Sequence, residues 1–237
     1  MAKPRVDVRW RTDGQQVDQG NVAIVVDVLR ACTNLITAFS MGAKRCRVTA
    51  DVSEARKLAR TMDAILMGER HNQKIDGFDY GNSPVQLEQR KIGNSTIIFT
   101  STNFPGALAA ASEASNVLLG TLVNLSAVCE KAVNLAINTD ADITLMLAGE
   151  PSESHAAEDY YFAGRAAHIL SGSCSLDSPA QQALTAACGR SPEDIMSLSL
   201  HAQELANQGY DKDVEFAMAV DRFDIVPTFR NGWITLR

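Results

Sequence analysis

The sequence predicts an α/β protein: a three-layer αβα sandwich on a largely parallel or mixed sheet, with helices on both faces. The apolar run at residues 22–28 reads as a strand buried on both faces, as in parallel sheets; 96–100 reads as another buried strand and 142–148 as a further strand. Helical patterns separate these runs, so strand and helix alternate along the chain. No linker is sharp enough to divide the 237 residues. One domain over 1–237 is expected, with a C-terminal helical segment and hairpin at about 178–237 as a cap or sheet edge.

The elements follow in order. Residues 6–10 are a short strand candidate and 11–20 are polar and turn-rich. The run 22–28 is apolar except for Asp27. A helix is expected over 33–41, ended by Gly42. Residues 44–49 alternate and read as a strand; Asp51 and Glu54 then cap a helix running to about Met62. Residues 64–68 form the next strand. A short helix around 84–90 leads to a turn at Gly93-Asn94. The strand at 96–100 runs into a polar junction, 101–106, and an Ala-rich helix to about Ser115. Residues 116–121 read as a strand, and Asn124 caps a helix with apolar positions 125, 128, 132 and 135. After the strand at 142–148 comes a polar loop, 149–157, then a helix over 157–170 with its stripe at Phe162, Ala166, Ile169 and Leu170. Ser178-Pro179 and Ser191-Pro192 each place a cap before a first-turn proline. Gly189 and Gly209 close helices, and Asn231-Gly232 is a strong hairpin signal.

Composition narrows the function. Apolar residues make 46% and charged residues 21% of the chain, as in ordinary globular proteins. The net charge of −6 argues against a general nucleic-acid binder, which shows a basic face. It leaves room for a small anionic ligand held by a local positive pocket. The five cysteines are odd in number and irregularly spaced, with no C-x-x-C, so a reducing cytoplasm is expected. No run reaches the ~18 apolar residues of a membrane span.

The stretch 68–84, GERHNQKIDGFDYGNSP, is too long and too charged for a plain connection, which needs about 2–6 residues. It is a solvated surface loop, an oligomer contact or part of a site. In open parallel sheets ligands bind beyond the carboxyl ends of the strands. Those ends carry Asp27, Glu69, the Ser101-Thr102-Asn103 junction and the Glu150 loop.

Asp27 interrupts a buried strand and needs a cation, a metal or several donors. It reads as a metal ligand or nucleophile, or as a structural pair with Arg30 or a helix N-terminus. Glu158 and Asp159 open a helix near the edges of its inward face. They could bind Mg²⁺, which prefers oxygen ligands and retained water, or simply favour a helix N-terminus. Arg30, Arg70 and Lys74 could bind an anionic substrate, or be ion-paired and solvated. Ser101, Thr102 and Asn103 could donate to a phosphate, or only cap. His71 and His155 sit in candidate loops where one could shuttle protons, although the four histidines lack metal-ligand spacing. Cys32 could be a reactive thiol, but also a small buried residue. P-loop, G-x-G-x-x-G, G-x-S-x-G and H-E-x-x-H patterns do not occur.

Several of these segments resemble one known family. Val26-Asp27-Val28-Leu29-Arg30-Ala31-Cys32-Thr33 is similar to the VDVLRAT motif of the 2-phosphosulfolactate phosphatase family. Gly68-Glu69-Arg70 with 77–84, GFDYGNSP, resembles its GER and GFD-GNSP elements. Residues 100–103, 120–127 and the 148–164 block resemble further segments, in the same order over about residues 22–170. The family continues its T-T-T-N segment with Gly-Thr where this chain has Phe104-Pro105, and carries Ser where this chain has Ala156. The resemblance implies a cytoplasmic, Mg²⁺-dependent phosphatase that hydrolyses 2-phosphosulfolactate to sulfolactate and phosphate in the coenzyme M pathway. Asp27, Arg30 and Glu69 would then be catalytic. Arg70, Lys74, Ser101, Thr102 and Asn103 would bind substrate. Asp27, Glu69, Glu158 and Asp159 would hold the metal. A phosphatase for another small phosphorylated hydroxy acid, or a silent ligand-binding or assembly protein of the same fold, is the alternative. A homo-oligomer is expected, as is common for enzymes of this size.

Overall fold

The computed structural model describes residues 3–90, 92–149 and 156–236. The elements run β1 (Arg5–Trp10), β2 (Val22–Val26), α1 (Ala31–Ser40), β3 (Arg45–Val48), α2 (Val52–Met62), β4 (Ile65–Arg70), β5 (Gln73–Lys74) and α3 (Pro84–Leu87). Then follow β6 (Thr96–Thr100), α4 (Phe104–Ala111), β7 (Asn116–Gly120), α5 (Leu125–Thr139), β8 (Ile143–Leu147), α6 (Ala157–Leu170), β9 (Ser175–Leu176) and α7 (Ser178–Ala187). Three short helices, α8 (Pro192–Leu198), α9 (Leu200–Asn207) and α10 (Asp211–Met218), precede the hairpin β10 (Thr228–Arg230) and β11 (Trp233–Thr235).

The strands form one mixed sheet in the order β5-β4-β6-β3-β11-β10-β7-β2-β8-β1-β9. β4, β6 and β3 are parallel. So are β7, β2, β8, β1 and β9. The apolar strand β2 is buried at every residue between β7 and β8, with Val26 paired to Gly120 and Leu147. Alternation then sorts its side chains. Val22, Ile24 and Val26 join a cluster with α5, α6 and α7, whereas Ala23 and Val25 face α1 and α4. A smaller cluster packs α2 on β4 and β6. Helices therefore cover both faces, as the alternating pattern predicted.

The C-terminal hairpin departs from expectation. The sequence reading put it in a cap or at a sheet edge, but β10 pairs with β7 and β11 with β3. It thus closes the gap between the two parallel blocks. Its two-residue turn uses Asn231 and Gly232 at positive φ, which matches the twist of the flanking strands. The loop at 68–84 also holds more order than its sequence suggested. His71 and Asn72, both at positive φ, turn β4 into β5, so Glu69 lies opposite Lys74. Gly68 is required just before: a Cβ there would lie 2.0 Å from the Thr100 carbonyl oxygen.

Local details differ where tertiary contacts won. Asp51 caps α2 through the Glu54 N–H, but the Glu54 carboxylate accepts from the Thr49 hydroxyl instead of completing a capping box. Asn124 does not cap α5 with its side chain; its amide bonds Thr121 N–H and the Leu119 and Ile225 carbonyls. Ser178 is the first helical residue of α7, behind Asp177. Ile169, expected on the buried stripe of α6, is 42% exposed.

Candidate active site

The carboxyl ends of β2, β4, β6 and β8 open onto one cavity of ≈ 380 Å³. Its walls include Asp27, Arg30, Glu69, Ser101, Thr102, Asn103, Glu158 and Asp159. Eight of the ten residues singled out from the sequence therefore meet in one place.

Each acid is held by specific donors. Asp27 follows β2, and its Oδ1 accepts from the Ala31 N–H at the start of α1, 2.9 Å away. Of the two structural partners considered for it, the helix N-terminus is the real one. Its Oδ2 has no hydrogen-bond partner among the described residues. Burial pushes the Asp27 carboxyl up to about 6 against that N–H, and Glu69 and Glu158 push the same way. Asp159 is clamped at both oxygens, by Val28 N–H at 2.8 Å and Gly149 N–H at 3.1 Å. Burial, then the charges of Glu158 and Asp27, still raise its carboxyl well above the usual range. Glu69 Oε1 accepts from the Thr102 N–H and hydroxyl, and Oε2 from the Asn72 N–H. Glu158 Oε2 accepts from Ser199 Oγ at 2.6 Å, and Oε1 lies 3.4 Å from His201 Nδ1.

The cations are redistributed. Arg30 is buried on the cavity wall, paired with Asp213 at 2.9 Å and donating to the Asn72 carbonyl, with its guanidinium 4.1 Å from the Tyr210 ring centroid. Arg70 and Lys74 do not reach the cavity. Arg70 donates to the carbonyls of Glu69 and Ala50 and to Thr100 Oγ1; Lys74 donates to the Phe78 carbonyl. Arg70 follows Glu69 on β4, so alternation turns it to the other face of the sheet; Lys74, across the hairpin from Glu69, spends its ammonium on the Phe78 carbonyl. His71 does line the cavity. Glu150 and His155 lie outside the described residues. Cys32 is buried, and burial with the neighbouring Asp27 and Asp159 charges raises its thiol well above the usual range. It is a packing residue of α1. Phe104 is fully buried in the core beneath α4, away from the cavity, while Ala156 lines it.

Sequence reading missed the wall contributed by the C-terminal helices: Leu200, His201 and Glu204 face the cavity, and Asp213 anchors Arg30 behind it. Asp213 also accepts from Ser83 Oγ at 2.7 Å, tying α10 to the GNSP segment. His201 bridges Glu158 and Asn72 Oδ1, the latter at 3.3 Å. Burial opposes its charge, but Glu158 and Asp27 outweigh burial and raise its pKa. The signal available in the sequence was a lone His in a segment without motifs.

The four carboxylates expected to bind a metal line one cavity, but among the described residues no three His, Cys, Asp or Glu side chains converge as a ready cage. The donor set suits a hard cation of another kind. It is all oxygen, and its charges repel one another. Mg²⁺ commonly takes one or two carboxylates and keeps several waters.

Fold and cavity together define an α/β protein with an acid-lined site at the carboxyl edge of its sheet. The chain belongs to the 2-phosphosulpholactate phosphatase family, whose model matches residues 10–232. A protein of Caldanaerobacter subterraneus subsp. tengcongensis named probable 2-phosphosulfolactate phosphatase is 35% identical over 216 residues, 88% of each chain. Its namesake in Carboxydothermus hydrogenoformans is 33% identical over 226 residues, covering 94% of this chain and 92% of the relative. One from Deinococcus radiodurans is 34% identical over 219 residues, covering 90% and 89%. The match extends past residue 170, where the motifs visible in the sequence end, into the helices that carry His201 and Asp213. Among the described residues no helix is long and apolar enough to cross a membrane.

Proposed function

We propose that this protein is a phosphatase that hydrolyses 2-phosphosulfolactate to sulfolactate and phosphate, with Mg²⁺ bound at the acidic cavity. The observation that carries this reading is the single cavity in which carboxylates from β2 and α6 meet the donors of the β6–α4 junction. The first set attracts a cation that would hold the phosphoryl group and the second an anion, which is the pairing a phosphate ester with a further negative charge needs.

In hydrolysis the water oxygen bonds to phosphorus as the ester P–O bond breaks. The water loses a proton and the leaving alkoxide gains one. Asp27 is our choice to take the first proton at Oδ2, since Oδ1 is held by the Ala31 N–H and its raised pKa suits a base near neutrality. His201 is our choice to give the second at Nε2, its Nδ1 being directed by Glu158; the leaving oxygen would take the Nε2 proton in place of Asn72 Oδ1, 3.3 Å away. Ser101 and Asn103 orient the anionic substrate, while Thr102, whose N–H and hydroxyl are both given to Glu69, holds that carboxylate in place. Arg30 supplies a positive charge fixed by Asp213. Glu158 and Asp159 would hold Mg²⁺, which when bound neutralises charge on the phosphoryl oxygens. Five free cysteines fit the expected cytoplasmic setting.

The test is phosphate release from phosphosulfolactate with Mg²⁺ and with EDTA, for wild type and Asp27→Asn. Magnesium-dependent release is expected in the wild type. The variant should lose about 10²–10⁴-fold in kcat while keeping its circular dichroism. Undiminished turnover in the variant would remove Asp27 from the mechanism. Release that EDTA does not touch would remove the metal.

A further inference from the structure

Arg11 belongs to none of the motifs and is not itself on the cavity wall, yet it joins two elements that are. It lies across the first turn of α4, where a Cβ on residue 106 would come within 2.7 Å of its Cδ; Gly106 leaves the room. Its Nε donates to the Ala148 carbonyl at the exit of β8, and Nη2 faces Asn103 Oδ1 at 3.4 Å. A guanidinium only donates, so the Asn103 oxygen turns toward Arg11 and the amide NH₂ is the end left for the cavity.

Two independent features mark the place as one for an anion. Ser101, 3% exposed and on the cavity wall, has an Oγ with no hydrogen-bond partner among the described residues. A buried hydroxyl without a partner is costly, and a bound oxyanion would satisfy it. The α4 helix of eight residues starts beside it, with its positive end toward the same wall. Hydroxyl, amide, helix terminus and the Arg11 charge behind them all favour an oxyanion.

We propose that Arg11 is a positioning residue: it fixes Asn103 as a donor and so completes a subsite at the α4 N-terminus for the substrate's second, non-transferred oxyanion, a sulfonate or carboxylate. This rests on the phosphatase reading above, which places the phosphoryl group at the carboxylates of β2 and α6.

The experiment measures kcat and KM for wild type, Arg11→Met, Arg11→Lys and Asn103→Asp on three esters: phosphosulfolactate, phospholactate and phenyl phosphate, which has no second anion. The calorimetric Kd of sulfolactate is measured alongside. Arg11→Met should raise KM for phosphosulfolactate at least tenfold more than for phenyl phosphate, with most of the change in KM. Arg11→Lys should recover part of it. Asn103→Asp, which keeps the shape and turns donors into acceptors, should show the same selectivity even if Arg11→Met folds poorly. Phospholactate separates the two anions: it follows phosphosulfolactate if the subsite takes the carboxylate and phenyl phosphate if it takes the sulfonate. Equal losses on all esters, or a fall in kcat alone, would overturn the proposal. If the wild type releases no phosphate, the phosphatase reading falls; the subsite then stands only if sulfolactate binds the wild type and binds Arg11→Met at least tenfold more weakly.

Discussion

The wall of the cavity made by strand ends and the wall made by the C-terminal helices are held by different forces. On the first, acids are fixed by backbone N–H groups: Asp27 by Ala31, Asp159 by Val28 and Gly149, Glu69 by Thr102 and Asn72. These donors come with the sheet and the helix starts, so the wall stands wherever the sheet stands. On the second, side chains hold side chains: Ser199 and His201 on Glu158, and Asp213 on Arg30 and Ser83. A wall of that kind depends on a few buried charges and is fragile to single substitutions. It is also the wall that sequence reading did not see.

The largest effect is expected at Asp213. Asp213→Ala leaves Arg30 buried without its partner, and a broken buried pair typically costs about 3–5 kcal/mol. A lowered urea midpoint at unchanged m-value is expected. A midpoint equal to wild type would mean that the C-terminal wall does not depend on the pair. At His201 the effect should be on chemistry. His201→Gln should cost about 10²-fold in kcat on phosphosulfolactate. The loss should be much smaller on p-nitrophenyl phosphate, whose leaving group needs no proton. Equal losses on the two esters would assign His201 a binding role instead.

Smaller effects test what the structure keeps out of the site. Lys74→Ala removes one hydrogen bond to the Phe78 carbonyl, worth about 0.5–1.5 kcal/mol, and should leave KM within about twofold of wild type, since roughly 1.4 kcal/mol corresponds to tenfold. A tenfold rise in KM would return Lys74 to the substrate. The smallest effect is expected from thiol alkylation at pH 8. Burial pushes the thiols of Cys32, Cys46, Cys129 and Cys174 up, and only Cys188 is exposed. Mass spectrometry should find a single modified thiol at Cys188 with activity unchanged; modification of Cys32 in the native protein would show that α1 opens.

Much of the molecule was legible in its order along the chain. The continuous apolar run before Asp27 specified a buried strand, and a buried strand must deliver its terminal carboxylate to a sheet edge. The same reasoning located Glu69 and Ser101 to Asn103, and helical spacing located the Glu158–Asp159 pair. It failed at Arg70 and Lys74, because alternation along β4 puts Arg70 on the face away from Glu69 and the Phe78 carbonyl holds the Lys74 ammonium. It also failed at Asn124, whose capping chemistry is satisfied by partners as distant as Ile225.

By itself, then, the sequence determined the alternation of strand and helix, the two-faced burial of the central strands, the acids at their carboxyl ends and the Asn231-Gly232 turn. These are settled by neighbours in the chain, through periodicity, φ preference and the cost of burying charge. Only the tertiary structure decided that the hairpin joins the two parallel blocks inside the sheet, that Asp213 rather than Asp27 pairs with Arg30, and that His201 reaches Glu158. The two side-chain contacts join residues 183 and 43 positions apart, and the hairpin pairs with a strand as far back as Cys46. Such contacts exist only once the packing of whole elements has brought the partners within hydrogen-bond reach.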